Sequence, residues 1–306
     1  MMTEIDAGAA AARRPTRAVF ADWPTLALFA GVYGVWIGAL FAPVALAVPV
    51  LALCVALQAS LQHEAIHGHP WRSDLANGLI AWPPLTLAIP YLRFHDTHLA
   101  HHRDARLTDP FEDPESNYLD PGQWAALPGW VRAALEVNNT LMGRMVLGPL
   151  IGQLRFMADD ARQIAQGDAR VALGWALHIP AVVAVLAVIV ISPLPLWAYL
   201  IAAYGGLSIL KIRTYAEHRA HARSGARSVI IEDRGPLAFL FLNNNLHVVH
   251  HAAPSVPWYQ LPAHFAAHRA HFLSMNGGYH FASYREVFAR YLTRAKDPVA
   301  HPLWRR

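Results

Sequence analysis

The sequence predicts an all-α integral membrane protein with four transmembrane helices, arranged as two hairpins, and a cytoplasmic helical cap. Of the 306 residues, 55% are hydrophobic and 15% are charged, against roughly 25% charged residues in an ordinary soluble domain. Residues 24–62 and 171–210 contain no charged side chain. All 25 lysines and arginines lie outside these two blocks, which indicates a chain that crosses a membrane and returns.

Each uncharged block has room for two membrane spans. A helix rises about 1.5 Å per residue and a bilayer core is about 30 Å thick, so one span needs about 20 residues. The first block has 39 residues and can turn at residues 41–43, whereas the second has 40 residues and can turn at the prolines of residues 192–195. The predicted spans are residues 24–41, 44–62, 171–191 and 196–212.

Two further apolar stretches are expected to lie along the membrane surface instead of crossing it. Residues 79–91 contain three prolines and are too short and too broken to span a bilayer. Residues 135–156 mix methionines and leucines with Arg144 and Arg155, which is typical of an amphipathic interfacial helix. Packing of both stretches beneath the cytoplasmic cap is the alternative interpretation.

The basic residues predict the orientation of the chain. Lysine and arginine are held on the cytoplasmic side during insertion, and here they precede the first hairpin, separate the two hairpins and follow the second. Both termini and the central segment are therefore expected on the cytoplasmic side of a bacterial inner membrane. No repeat or linker divides the sequence, so we expect a single membrane domain over residues 1–306 with a flexible tail at residues 1–18.

Histidine is the residue type that points to chemistry. The sequence has 18 histidines and one cysteine, Cys54, which excludes an intrachain disulfide and a cysteine-based zinc site. Three clusters stand out, HEAIHGH at residues 63–69, HDTHLAHH at 95–102 and HVVHH at 247–251. Random placement gives roughly 0.06 HxxHH matches in a chain of this composition. The pattern occurs twice, so it is a strong signal.

The spacing of these histidines fits metal binding. Residues three and four positions apart share one face of a helix, so each box is expected to form one preformed patch of ligands. All three boxes fall on segments assigned to the cytoplasmic face and can converge there. Eight imidazoles are too many for one ion that must also admit a substrate, but they suit two ions, and spacing leaves zinc, copper, iron and nickel open. The eight are His63, His67, His98, His101, His102, His247, His250 and His251.

The order of these boxes resembles the membrane-bound fatty acid desaturases and their hydroxylase relatives. The resemblance covers most of the chain: two hairpins, one HxxxH box, two HxxHH boxes, and a third box that continues as HVVHHAAPSVPWYQLP. It implies a centre of two iron ions that activates O2 to attack an unactivated C–H bond, with the eight histidines as ligands. It also implies a ninth ligand, His218 in TYAEHR, while His69 or His95 are alternatives that would displace an assigned ligand.

A competing motif overlaps the first box. HEAIH also fits HExxH, in which two histidines bind zinc and Glu64 would be the general base of an intramembrane metalloprotease. That interpretation leaves both HxxHH boxes unexplained. Glu64 is better interpreted as a hydrogen-bond acceptor that orients an imidazole, a role also open to Asp96 and Glu217. Solvation or structural pairing is the alternative for these three carboxylates.

Several other polar residues have simpler explanations. His264, His268 and His271 share one helix face, but an amphipathic surface helix accounts for them without a metal. His178 lies inside the third predicted span, where a neutral, hydrogen-bonded packing role is expected. Residues 243–245 are three asparagines that either form a turn or hydrogen-bond behind the third box.

These observations predict an O2-dependent oxidoreductase, most readily a desaturase that inserts a double bond into a fatty acyl chain. A hydroxylase of a lipid, alkane or small molecule is the close alternative, because small differences in substrate position decide the outcome. The sequence contains no GxGxxG or CxxC motif, so electrons are expected from a separate ferredoxin, rubredoxin or cytochrome. Net charge +4 suits an acidic redox partner or anionic lipid, and no nucleic-acid partner is expected.

Overall fold

The computed structural model describes residues 22–304. Within this range the chain forms fourteen α-helices and one parallel sheet of two short strands. The tail predicted at residues 1–18 lies outside the described residues. The helices before the second hairpin are α1 Trp23–Ala39, α2 Val44–Ile66, α3 Asp74–Ala81, α4 Tyr91–His101, α5 Pro121–Ala126, α6 Gly129–Asn138 and α7 Leu141–Ala165.

The remaining elements follow the same chain order. Helices α8 Ala169–Ile191 and α9 Leu196–Ala216 form the second hairpin. Beyond it the chain is built from short elements, whose sheet pairs Ile230 with His280 and Ile231 with Phe281. These elements are β1 Ile230–Ile231, α10 Pro236–Leu240, α11 His247–Ala252, α12 Leu261–Ala267, α13 Arg269–Met275, β2 His280–Phe281 and α14 Tyr284–Tyr291.

Both predicted hairpin turns coincide with helix ends. Helix α1 ends at Ala39 and α2 follows Pro43, while α8 ends at Ile191 and α9 follows Pro195. Proline suits the position just before a helix, because its fixed φ and missing N–H are tolerated there but not in the helix interior. Helices α2 and α9 each run about one turn beyond the predicted spans, which places part of the first histidine box on α2.

Two helices are long and apolar enough to cross a membrane, α2 and α8, among residues 22–304. Helix α1 is apolar but has 17 residues, and α9 continues through Lys211 and Arg213. Only 28% of the most apolar window of α8 is buried inside the protein. A long apolar helix with so much exposed surface differs from the core helix of a soluble protein and fits contact with lipid.

The hairpins pack through helices α2 and α9. Gly206 of α9 lies so close to α2 that an added Cβ would be 2.4 Å from Cγ1 of Val55. Trp36 of α1 donates from its indole N–H to the hydroxyl of Tyr199 at 3.2 Å, and that hydroxyl donates to the carbonyl of Leu85 at 2.8 Å. These contacts lie in one buried apolar core shared by α1, α2, α8 and α9.

Helix α7 has the amphipathic pattern expected of residues 135–156. It begins at Leu141 and ends at Ala165, both later than expected, and presents a stripe of exposed apolar side chains, while Arg144 and Asp160 are buried. Asp160 forms a buried two-contact ion pair with Arg93 of α4, at 2.9 and 3.0 Å. The exposed stripe consists of Met142, Val146, Leu150, Leu154 and Met157.

Candidate metal centre

Nine histidines converge at the ends of helices α2, α4, α9 and α11. Their ring nitrogens form two groups, and within each group the ligand atoms lie within 4.8 Å of one another. All nine were singled out from the sequence, and the structure brings all of them together. The five-histidine group contains His63, His67, His98, His102 and His250, and the four-histidine group contains His101, His218, His247 and His251.

Each HxxHH box contributes to both groups, so the expectation that a box forms one patch of ligands is wrong. His98 and His102 belong to the five-histidine group, but His101 belongs to the other. The third box is divided in the same way, since His250 joins a different group from His251. Successive residues of a helix are rotated by about 100°, so adjacent histidines point in different directions while the pair at i and i+4 stays together.

Short contacts between Nε2 atoms define both groups. In the five-histidine group, the Nε2 atom of His98 lies 3.0 Å from Nε2 of His67 and 2.9 Å from Nε2 of His102. The Nε2 atom of His102 lies in turn 3.1 Å from Nε2 of His250. None of the described residues hydrogen-bonds the buried Nε2 of His63. The ring nitrogens therefore face one another at the centre of the group.

The four-histidine group has the same arrangement. Nε2 of His218 lies 2.9 Å from Nε2 of both His101 and His247, and the latter lies 3.2 Å from Nε2 of His251. The two groups are neighbours, because the rings of His102 and His251 stack with centroids 4.3 Å apart.

The outer nitrogens of several rings meet oxygen acceptors. Nδ1 of His98 lies 2.9 Å from Oε1 of Glu115, and Nδ1 of His101 lies 2.8 Å from Oδ1 of Asp113. An ionised carboxylate only accepts hydrogen bonds, so the imidazoles carry their outer proton on Nδ1. In a neutral ring this leaves the Nε2 lone pair directed into the group, which is the tautomer that binds a metal.

An amide supplies the same contact for the third box. Nδ1 of His247 lies 3.0 Å from Oδ1 of Asn244, whose Nδ2 donates to Glu217 at 3.2 Å. Glu217 also lies 3.0 Å from Nε of Arg213. Glu217 thus orients the amide of Asn244, which directs its oxygen toward the imidazole.

The geometry fits two metal ions. Imidazole nitrogens bind divalent metals at about 2.1 Å, and two such nitrogens at a right angle about one ion lie about 3.0 Å apart. The observed Nε2 separations of 2.9 to 3.2 Å agree with that spacing. Where both Nε2 atoms are unprotonated, their lone pairs repel at this distance unless a cation lies between them. The two groups therefore provide the donor atoms and the spacing that a pair of metal ions requires.

The electrostatics of the site also suit cations. Burial, reinforced by neighbouring imidazoles, holds the pKa of His218, His247 and His250 well below the usual 6.5, so these rings are neutral, as metal ligands must be. Burial also lowers the pKa of His101, but Glu115 and Asp113 outweigh it and raise that pKa to about 9. Burial raises the pKa of Glu115, but His101 and His98 hold it well below its usual range. Negative charge thus lies directly behind the imidazoles.

Comparison with known protein families identifies the family of the chain. The family model described as fatty acid desaturase matches residues 39–283, a range that includes all nine histidines. The chain belongs to the fatty acid desaturase family. Among individually curated proteins, none matches the chain. Membership implies a membrane oxidoreductase, in agreement with the apolar helices and the two histidine groups.

In this desaturase family member, the two histidines considered as replacements for an assigned ligand, His69 and His95, lie outside both groups. Nδ1 of His69 pairs with Asp22 at 3.1 Å and its Nε2 contacts the carbonyl of Ser255 at 3.2 Å. His95 pairs with Asp96 at 2.9 Å. Neither ring is among the histidines that the structure groups as candidate ligands.

The histidines expected to be structural also lie outside the groups. The rings of His264 and His268 stack on each other with centroids 5.2 Å apart, and His271 packs its ring edge against Phe272. His178 lies within α8, where its Nε2 is 3.2 Å from the carbonyl of Leu87. A hydrogen-bonded packing role accounts for this last contact.

The three carboxylates singled out from the sequence have different surroundings. Glu217 acts behind His247 through Asn244, as described above. Glu64 instead accepts the backbone N–H of Trp258 at 3.1 Å and is not among the candidate metal ligands. Asp96 pairs with His95 and with Arg170 at 2.8 and 3.0 Å, away from the grouped rings.

Sequence reasoning missed two important carboxylates, Asp113 and Glu115. They lie in the loop DPFEDPES, 12 and 17 residues beyond the histidines they contact. The chain between the second box and these carboxylates is irregular, so no helical spacing relates the carboxylates to the histidines. Their nearness to a histidine box in a chain with only 21 acidic residues is the one signal that could have suggested them.

An apolar cavity of about 280 Å³ lies between α1, residues 82–85 and α8. Its wall is tied to the helix that carries the first box, because Gln58 and Gln62 of α2 donate to the carbonyls of Pro83 and Ala81, each at 2.8 Å. The cavity is near the lower end of the size range of small-molecule pockets. Its lining includes Tyr33, Trp36, Ile37, Trp82, Leu85 and Val185.

Proposed function

We propose that this member of the fatty acid desaturase family holds two iron ions and inserts a double bond into a fatty acyl chain, using O2 and external electrons. The observation that carries the proposal is the division of nine histidines into two adjacent groups with inward-facing Nε2 atoms. We assign the five-histidine group to one iron ion and the four-histidine group to the other. When bound, the two ions supply the redox chemistry that activates O2 toward an unactivated C–H bond.

The side chains of the protein act by binding and orientation. The nine imidazoles bind the two ions, while Glu115, Asp113 and Asn244 hold the outer nitrogens of His98, His101 and His247. Such outer contacts fix ring orientation and raise the basicity of the ligand. The negative charge of the two carboxylates, Glu115 and Asp113, offsets the positive charge of the bound ions.

An acyl chain is the substrate class that best fits the surroundings of the site. The wall of the apolar cavity is tied at Pro83 to Gln58 of α2, the helix that carries the first box, and the exposed apolar surface of α8 gives access to lipid. We propose that the substrate is positioned so that two adjacent carbons each lose a hydrogen atom. Hydroxylation of a lipid, alkane or small molecule is the second candidate, because a small change in substrate position favours a single oxidation.

Desaturation with O2 also requires reducing power. Loss of two hydrogen atoms from the substrate and reduction of O2 to two water molecules consume two more electrons and two protons. We propose that a separate ferredoxin, rubredoxin or cytochrome supplies these electrons at the cytoplasmic face. Basic residues near the grouped histidines in the sequence, among them Arg103 after the second box and Arg223 after His218, suit an acidic partner.

We further propose that residues 1–306 form one membrane domain with four spans, α1, α2, α8 and α9. The shorter helix α1 and helix α9, whose end carries Lys211 and Arg213, then cross beside α2 and α8, and the hairpin turns face away from the cytoplasm. The exposed apolar stripe of α7 supports a position along the membrane surface. The histidine groups and both termini lie on the cytoplasmic side of a bacterial inner membrane in this arrangement.

Metal analysis and product analysis test the proposal together. Purified protein should contain two iron ions per chain, and expression in a bacterial host should give acyl chains with a new double bond, detected by mass spectrometry. The variant His250→Ala should lose the product, because a ligand is removed from the five-histidine group. The matched variant His268→Ala should retain it, since that ring lies outside both groups.

The results separate the competing functions. One zinc ion and no iron would contradict the proposal and favour the protease. A hydroxylated product with two iron ions would replace desaturation by hydroxylation. Equal loss of product in both histidine variants would show that the ligands have been assigned wrongly.

A further inference from the structure

The last described residues return to the candidate metal centre. We call residues 294–301 the C-terminal strap. These residues lie beyond residues 39–283, which the desaturase family model matches, so the family match says nothing of their role. The strap runs beside Leu119, with Leu119 N–H donating to the carbonyl of Val299 at 2.9 Å and His301 N–H donating to the carbonyl of Leu119 at 2.8 Å.

The most direct contact is made by Lys296. Its ammonium group donates to the backbone carbonyl of His218 at 2.7 Å and pairs with the adjacent Asp297. The side chain of Lys296 is only 10% exposed, and the ammonium lies 5.6 Å from the centre of the Tyr279 ring. A buried ammonium with a carboxylate partner and a carbonyl acceptor is held in one place.

Asp297 extends the contact to the other side of the same histidine. The hydroxyl of Tyr118 donates to Oδ2 of Asp297 at 2.6 Å, and its oxygen accepts the N–H of Ala220 at 2.9 Å. The strap therefore holds the backbone both at His218 and two residues later. On the ring side, the hydroxyl of Ser228 lies 3.2 Å from Nδ1 of His218.

The strap also contacts the loop that carries the two carboxylates of the centre. Nε2 of His301 lies 3.3 Å from the hydroxyl of Thr108, and the backbone N–H of Thr108 donates to Asp113 at 2.8 Å. Within its group, His218 is the one histidine that belongs to no histidine box. It follows the end of the long helix α9. Its backbone position therefore depends on contacts from elsewhere in the chain.

We infer that the C-terminal strap positions His218 in the four-histidine group, with Lys296 as the positioning residue that holds its carbonyl oxygen. The inference rests on the proposed function, because it assigns His218 as a metal ligand. Removal of the ammonium leaves the ligand set complete but frees the backbone that carries one ligand. Residues that orient metal ligands typically contribute about 10- to 100-fold to metal affinity.

Ferrous iron titration of the full-length purified protein, in competition with a chelator and without oxygen, tests the metal part of the inference. Wild type should bind two ions. Lys296→Met should bind one ion as wild type does and the second about 10- to 100-fold more weakly, and Lys296→Arg should recover part of the loss. Arg294→Met is the matched control on the strap, because its side chain is exposed, and it should bind both ions normally.

Hydrogen exchange of the metal-free protein tests the positioning itself. The amides of Arg219 and Ala220 donate to the carbonyl of Arg227 and to Tyr118, so they should exchange faster in Lys296→Met but not in Arg294→Met. Unchanged hydrogen exchange in Lys296→Met would overturn the role of the strap. So would an iron titration in which Lys296→Met binds both ions tightly, or binds both more weakly to the same degree. Failure of wild type to bind two ions, with the exchange result as expected, would instead overturn the dimetal assignment and limit the strap to a structural contact.

Discussion

At the scale of the residue, each side of an imidazole has a separate task in this site. The inner nitrogens of nine histidines converge in two groups, and outer nitrogens such as those of His98 and His101 contact carboxylates. The contacts fix the tautomer, and the carboxylates bring negative charge to the buried cluster of rings. The carboxylates behind the rings touch no substrate, but they influence how well the histidine ligands bind a cation.

The charge of Glu115 can be tested by itself. Glu115→Gln keeps an oxygen that accepts from Nδ1 of His98 but removes the negative charge, so metal affinity should fall about 10-fold or more. Metal titration of the purified protein measures the change. Glu112→Gln is the matched control in the same loop, because its side chain is 51% exposed and pairs with Arg106. Equal affinities of the two variants would contradict a role for the charge of Glu115.

At the scale of the element, the crossing of α2 and α9 aligns two helices that deliver histidines. His63 lies in the last turn of α2, and His218 follows the end of α9. Gly206 allows the close approach, because a Cβ there would also lie 2.9 Å from the carbonyl oxygen of Ala52. Backbone cannot give way as a flexible side chain does, so the two helices would have to separate.

Gly206→Ala should therefore lower the free energy of unfolding. Overpacking of a close contact costs typically about 1 to 3 kcal/mol, and thermal unfolding in detergent measures the loss. Gly38→Ala in α1 is the matched control, since no atom lies within 4 Å of its added Cβ. This control should be neutral or more stable, because alanine favours helix over glycine by about 1 kcal/mol. Similar melting temperatures for the two variants would contradict the close crossing.

At the scale of the whole molecule, charge and hydropathy segregate along the chain. The turns between α1 and α2 and between α8 and α9 contain no charged residue, whereas the histidine groups lie among the basic segments. Lysine and arginine retain such segments in the cytoplasm during insertion. The proposed topology therefore places the hairpin turns on one side of the membrane and the metal centre on the other.

Thiol labelling tests this topology. In a Cys54→Ala background, Pro193→Cys in the second hairpin turn should react with a membrane-impermeant maleimide in intact cells. Ser224→Cys, between α9 and the third box, should react only after the inner membrane is permeabilised. Both positions are exposed in the folded protein, so burial does not protect either. Labelling of Ser224→Cys in intact cells would contradict a cytoplasmic metal centre.

Much of the helical framework could be predicted from local patterns. The uncharged blocks predicted helices near their observed bounds and turns at residues 41–43 and 192–195, because apolar composition and proline act over short distances. The number of membrane spans was harder to predict from the sequence. Among residues 22–304, two helices meet the length and hydropathy criteria for a span. Whether the shorter α1 and the partly charged α9 also cross depends on their packing against α2.

The sequence by itself determined the eight histidines of the three boxes, because the spacing of the boxes and their positions next to apolar blocks are local properties, while His218 was suggested by the family resemblance alone. Helix rotation separates the adjacent histidines of each HxxHH box, but tertiary structure alone decided which rings of different helices share a group. His98 and His102 join His250, and His101 joins His247 and His251, since the facing helices meet at angles that no linear motif encodes. It also decided that Glu115, Asp113 and Lys296 support the site, because these contacts join residues 12 to 78 positions apart.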